Sequence, residues 1–223
     1  MVNEVKRRSQ ADRTALARAA LVESAITLLS EHGFACATTS AIAQHAGVTT
    51  GALHHHFPTK ESLLIAVLDE LTEQALALFR ALNDRDRKGD GPARSIVTSL
   101  WSLYGSRRYW AVWEINLGLR PEEASHRALI EHRKCTRERM NNVLAANAAL
   151  TPQTKQALHV LLPFLLSAMR GIFLDTFFAG HDAEILDQQL ERLTHALDQE
   201  IRSLSTRTRR VAPTQAVSSR SAS

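Results

Sequence analysis

A chain of 223 residues, set against about 150 residues per domain, has room for one large or two small domains and for a real hydrophobic core. Hydrophobic residues at 44%, charged residues at 22%, and only 9 Gly and 6 Pro exclude a disordered, collagen-like or low-complexity chain. The formal charge of +4 is matched by four arginines beyond Ser205 (Arg207, Arg209, Arg210 and Arg220), so the body is neutral and bulk charge does not by itself point to nucleic acid.

Apolar residues recur at threes and fours with no β-branched alternation, which predicts an all-α fold of about nine helices. The first spans Asp12 to His32, with Val22, Ile26 and Leu29 on one stripe, Leu21, Ala25 and Leu28 beside it, and Gly33 as its left-handed stop. Thr38 caps a short helix over Thr39–Ala46 that ends at Gly47. Thr49 caps another over Thr50–His56 that ends before Pro58. Thr59 opens a long helix from Lys60 to about Leu82, and the polar, glycine-bearing stretch from Asn83 to Pro92 is a loop.

Further helices are expected over Ala93–Ser106, over Tyr109–Leu117, and from Pro121 to about Ala148. Thr151 and Pro152, a cap followed by proline at the first helical position, start a helix that reaches Phe178 and is kinked at Pro163. The last helix, Asp182–Leu204, carries Leu186, Leu190, Leu193, Leu197, Ile201 and Leu204 as a packing seam. The Ser/Thr/Arg-rich segment 206–223 reads as a disordered tail.

The two short helices and the turn Ala46-Gly47-Val48-Thr49 have the proportions of a helix-turn-helix, whose second helix enters the major groove of DNA. Helices this short cannot stand alone. Ile42, Ala43, Val48 and Leu53 must therefore pack on the first and fourth helices, with Phe34 and Phe57 closing the small core.

The run Gly33-Phe34, then Thr38-Thr39-Ser40-Ala41-Ile42-Ala43-Gln44-His45-Ala46-Gly47-Val48-Thr49-Thr50-Gly51-Ala52-Leu53-His54-His55-His56-Phe57-Pro58-Thr59-Lys60-Glu61-Ser62-Leu63, resembles the DNA-binding domain of tetracycline-repressor (TetR/AcrR-like) transcriptional regulators. The resemblance covers about residues 13–65; beyond it, only the number, length and order of helices match. One departure is His54, at a position the family usually fills with a tyrosine that reaches a DNA phosphate. A histidine also donates to phosphate, more strongly when protonated.

The resemblance implies that His54, His56 and Lys60 anchor phosphates, that Thr50 and His55 read bases, and that Thr38 and Thr49 serve as caps or phosphate contacts. The residues themselves agree with these roles. Thr49 and Thr50 stand where free backbone N–H groups favour a phosphate oxygen. Gly51 and Ala52 are small enough for close approach to the groove floor. Lys6, Arg7, Arg8 and Arg13 form an arm that either tracks phosphates and the minor groove or is simply solvated.

All three Trp and both Tyr fall between residues 101 and 113. Trp101, Tyr104, Trp110 and Trp113, with Glu114, Asn116 and the later Met169 and Phe173, are candidates for a pocket that takes an aromatic or lipophilic effector; helix packing is the competing reading of each. The last two long helices, with Leu158, Leu162, Leu165 and Leu166 on the first of them, are either intramolecular core or a dimeric four-helix bundle.

Consecutive histidines point ~100° apart and cannot share one ion, so no metal or cofactor is expected. No G-x-S-x-G elbow or glycine-rich phosphate loop occurs, so an enzyme is not expected. Cys36 and Cys135 form no C-x-x-C, which suits a reducing cytoplasm. The apolar stretch His159–Ile172, interrupted by Pro163, Ser167 and Arg170, falls short of the ~20 residues of a membrane span.

The sequence is thus read as a ligand-responsive, homodimeric repressor of a palindromic double-stranded operator. A DNA-binding domain of three helices occupies residues 1–60, and an effector-binding and dimerisation domain occupies 61–205. The alternatives are an activator, a regulator without an effector, or an all-α small-molecule-binding protein or enzyme.

Overall fold

The computed structural model describes residues 10–84, 91–178, 180 and 182–211. Among them nine α-helices and no strands occur: α1 Gln10–Cys36, α2 Thr39–His45, α3 Thr50–His56, α4 Lys60–Ala81, α5 Gly91–Tyr104, α6 Trp110–Gly118, α7 Glu123–Ala146, α8 Pro152–Phe178 and α9 Ala183–Val211, with a 3-10 turn at Arg107–Tyr109 before α6. The chain divides into two units, one made of residues 1–81 and 105–143 and the other of 82–104 and 144–223.

In the first unit α1 packs on α2, α4 and α6. Its apolar stripe is used as the spacing predicts: Leu21, Val22, Ala25, Ile26 and Leu29 are buried, and Leu28 is partly so. Gly33 adopts φ 81° and ψ 173°, which breaks α1 at the expected residue and sends Phe34 off the helical path. Ile42, Ala43, Leu53 and Phe57 are buried in the same core, with Phe34 and Val48 partly buried against it. The short helices are therefore held by their apolar sides, and Arg18 covers the Phe57 ring at 4.8 Å from its centroid.

Two sets of polar ties hold this unit's helices in register. Arg108, in the 3-10 turn, pairs with Glu23 of α1. Between α4 and α7, His132 Nε2 lies 3.1 Å from Asp69 Oδ1, the hydroxyls of Thr72 and Thr136 meet at 3.4 Å, and Arg139 pairs with Glu73.

In the second unit α8 packs on α5 and α9, and α5 on α9. Thr151 caps α8 as predicted, accepting the N–H of Thr154 at 3.2 Å, and the helix continues through Pro163 to Phe178. Asn147, buried, donates to the carbonyl of Leu82 at 2.9 Å and accepts the N–H of Ala149, which ties the two segments of this unit where they enter it.

Leu158, Leu162, Leu165 and Leu166 of α8 and Leu186, Leu193 and Leu197 of α9 are buried as internal core, while Leu190, Ile201 and Leu204 of the seam are only partly buried. Taken over its whole length, α8 has the length and composition to cross a membrane, more than its interruptions suggested, though Ala157, Leu158, Leu165 and Met169 lie buried inside the protein.

The structure corrects the expected tail. Helix α9 runs through Val211, so residues 206–211 of the segment 206–223 are helical, and the remainder lies outside the described residues. The physical reason is local: between Gly180 and Pro213 the sequence has no glycine or proline to stop a helix. Smaller shifts occur at α5, which starts at Gly91 with φ 80°, and at the helix expected over Tyr109–Leu117, which tightens into the 3-10 turn first.

Candidate nucleic-acid interface

The two short helices are each closed at the front by a threonine. Thr38 Oγ1 accepts the N–H of Ala41 at 3.1 Å, and Thr49 Oγ1 accepts the N–H of Ala52 at 3.1 Å. Each satisfies one of the orphan donors of a helix start. Between them Gly47 takes φ 71°, and the N–H of Val48 returns to Ala43 at 3.0 Å. That closes a tight turn and points α3 away from α2.

Leu53 faces the core, so the opposite side of α3 faces solvent: Thr50, Gly51, His54 and His55 are exposed, as is Thr49 just ahead of them. Positions 50, 51, 54 and 55 share one face by helical spacing. Ala52 and His56 flank that face half-buried, and Thr38 is exposed at the start of α2. A Cβ added at Gly51 would meet only Thr49 Oγ1 at 3.9 Å, so internal packing does not demand a glycine there. The His55 and His56 rings stand edge to face at 5.5 Å.

Lys60, the first residue of α4, is half-buried. Its Nζ donates to the carbonyl of Phe34 at 3.4 Å and lies 4.1 Å from the Phe34 ring centroid. Burial pushes its pKa below the usual lysine value, against the charge of Glu61, which favours the protonated form. Of the arm, Arg13 is exposed on α1, and Lys6, Arg7 and Arg8 lie outside the described residues.

The candidates for an effector pocket fall in both units. Trp101, Tyr104, Met169 and Phe173 belong to the second; Tyr104, Met169 and Phe173 are buried, with the Arg170 guanidinium 5.8 Å from the Tyr104 ring centroid. Trp110, Trp113, Glu114 and Asn116 lie on α6 in the first.

There Glu114 Oε1 accepts the indole N–H of Trp110 at 2.9 Å, and Oε2 accepts the backbone N–H of Phe34 at 2.7 Å. The Asn116 side chain donates to Val112 of its own helix at 2.6 Å. The indole N–H of Trp113 is buried and has no acceptor among the described residues. A polar groove of about 980 Å³ in the second unit is lined by none of these candidates but by α5 and α9 residues such as Arg94, Glu191, Arg192, His195 and Asp198.

Sequence reasoning missed the role of Gly118. A Cβ there would stand 2.3 Å from the Phe34 ring, so only glycine lets the ring lie against α6. Nothing local in the sequence signals this contact.

Comparison with known proteins agrees with this geometry. Residues 21–67 match the family described as bacterial regulatory proteins, tetR family. The HTH-type transcriptional regulator CymR of Pseudomonas putida is 41% identical over 76 residues, 34% of this chain and 37% of that protein. The chain thus spans little more than a third of that relative's length.

Among solved structures, a TetR family transcription regulator from Marinobacter aquaeolei superposes with a TM-score of 0.60 at 17% identity, over 84% of this chain and 98% of that one. The multidrug binding protein EbrR, solved with imidazole, superposes with a TM-score of 0.53 at 20% identity, over 82% and 93%. Residues 21–67 thus carry the DNA-binding domain of the tetR family of bacterial regulatory proteins, and the all-α fold is one the chain shares with the solved TetR family regulator.

Proposed function

We propose that the chain is a cytoplasmic, homodimeric transcriptional repressor, without catalytic activity, that binds a palindromic DNA operator through α3 and releases it on binding a small molecule. The observation that carries the reading is the exposed face of α3. Thr50, Gly51, His54 and His55 stand opposite buried Leu53, on a helix whose start is fixed by Thr49. Thr50 and His55 read base edges. Thr38, Thr49, His54, His56 and Lys60 hold phosphates, and Gly51 and Ala52 let the backbone come close.

One such module reads only a few base pairs, whereas two recognition helices ~34 Å apart read an inverted repeat. The dimer forms through α8 and α9. Leu186, Leu193 and Leu197 of the seam are buried inside the chain, and Val160 and Phe164, one turn apart on α8 and both more than half exposed, leave an apolar strip for a second copy.

The effector is aromatic or lipophilic and carries a hydrogen-bond acceptor. The buried Trp113 indole N–H lacks an acceptor among the described residues, and a donor left so costs about 1–3 kcal/mol until something accepts it. EbrR, of similar fold, is a multidrug binding protein solved with imidazole, which supports a small-molecule role for the helices beyond the DNA-binding domain. Release requires only that the ligand favour the non-binding state by about 1–3 kcal/mol or more.

The test is selection of bound fragments from the source genome by the purified full chain at a stated salt concentration. An inverted repeat with half-sites one helical turn apart is the expected product; no sequence above background would overturn the reading.

A further inference from the structure

Gly33 breaks the hydrogen-bonding path of α1, and the N–H of Phe34 is donated to a side chain from a distant part of the sequence, Glu114 Oε2 at 2.7 Å. The second oxygen of that carboxylate is occupied by the Trp110 indole N–H at 2.9 Å, four residues earlier on α6, which fixes the carboxylate's orientation. The same carboxylate lies over Gly33, where an added Cβ would meet its atoms at 3.5–3.8 Å.

Four residues further along α6, Gly118 lets the Phe34 ring lie flush against the helix. Phe34 is therefore held by α6 through its backbone and through its ring. Its remaining polar atom and the other side of its surroundings belong to Lys60: the carbonyl accepts from Nζ at 3.4 Å, and the ammonium sits 4.1 Å from the ring centroid. A long flexible side chain is thereby pre-set by a cation–π contact and a carbonyl, close to the exposed end of α3.

We infer that Glu114 is a positioning residue for DNA binding: by fixing Phe34 it sets Lys60 in the place from which it meets a phosphate. The inference deepens the proposed function and rests on its reading of Lys60 as a phosphate contact. Hydrogen bonds to an ionised acceptor are the stronger ones. Losing this one frees the Phe34 peptide to turn and removes both features that hold the ammonium.

The test compares the wild-type chain, Glu114→Gln, Lys60→Ala and the double variant for affinity to the operator recovered in the selection, by fluorescence anisotropy across a salt series. Glu114→Gln keeps the volume and one acceptor oxygen but sets an amide against one of the two donors. It is expected to weaken binding roughly three- to tenfold, the size of coupling found between residues that share a network. It should also lower the salt slope, toward the drop of about 2 that Lys60→Ala gives when a dimer loses one phosphate contact in each copy. The double variant should bind no more weakly than Lys60→Ala alone.

A merely structural role for Glu114 moves neither the slope nor the additivity. Full additivity in the double variant, or an unchanged slope in Glu114→Gln, overturns the inference. Wild-type affinity in Lys60→Ala overturns it together with the Lys60 contact while leaving operator binding itself standing. Where Glu114→Gln does not fold, Trp110→Phe, which removes the indole donor together with part of the ring, carries the comparison with the same two outcomes and a smaller expected loss.

Discussion

Arg108 grips Glu23 with both terminal nitrogens, Nη1 on Oε1 and Nη2 on Oε2 at 3.0 Å, joining the turn before α6 to the middle of α1. The hydrogen bond to Arg108 draws the Glu23 carboxyl below its usual pKa, against a smaller opposing effect of burial, and the guanidinium charge adds to the lowering. A carboxyl depressed on folding contributes stability above its unfolded pKa and loses it as pH falls through the folded value. Both groups are largely solvated, so water screens the pair to less than about 1 kcal/mol. Urea midpoints for wild type and Glu23→Gln are expected to differ at pH 7 and to converge as the solution is acidified below the usual carboxylate range.

The caps of α2 and α3 are equivalent in geometry and should be equivalent in cost. Thr38→Ala and Thr49→Ala are each expected to lower stability by about 1 kcal/mol, whereas Thr38→Ser and Thr49→Ser, which keep the accepting oxygen, stay near wild type in chemical denaturation.

Gly118→Ala forces a methyl into space held by the Phe34 ring, 2.3 Å from its nearest atoms. The expected loss is about 1–3 kcal/mol. Combining it with Phe34→Ala, which removes the whole obstructing ring, should cost less than the two changes taken singly, a coupling readable from a double-mutant cycle of urea midpoints.

Positioning contacts and reading contacts separate in their salt and sequence dependence. Lys60→Ala is expected to weaken every DNA sequence alike and to reduce the salt slope by about 2, one contact for each copy in the dimer. Thr50→Ala and His55→Ala are expected to relax preference at particular base pairs with little change in that slope. Competition binding against single-base variants of the operator distinguishes the two patterns.

Val160→Asp and Phe164→Asp place charges on the exposed strip of α8 and leave its buried side untouched. Sedimentation velocity is expected to give a monomer for each, with helical circular dichroism retained and operator affinity lowered at least tenfold, since half the reading surface is lost. A dimer that persists in both variants places the interface elsewhere.

Where structure follows from signals a few residues away, the sequence was readable to the residue. Helix α3 spans Thr50–His56 and α8 spans Pro152–Phe178 as expected, because a threonine cap stands before each and a proline or glycine after. The burial of Ile42, Ala43, Leu53 and Phe57 followed from the same logic, since short helices need a core to lean on.

Less could be foreseen where the partner is remote. The aromatic cluster places Glu114 in a pocket by neighbourhood alone, yet its carboxylate meets a peptide N–H 80 residues away, a distance no local pattern encodes. The break between units is equally silent in the sequence: α4 packs on α1, so residues beyond 60 share a unit with the helix-turn-helix.

The ties between α4 and α7 fall within about one turn of α4, at Asp69, Thr72 and Glu73, and are spread over about two turns of α7, at His132, Thr136 and Arg139. Greasy contacts let neighbouring rods creep past each other by fractions of an ångström. Directional polar ones do not, because a small slip spoils every pair at once. α7 is thereby joined, through three side-chain ties, to the helix whose first residue is Lys60.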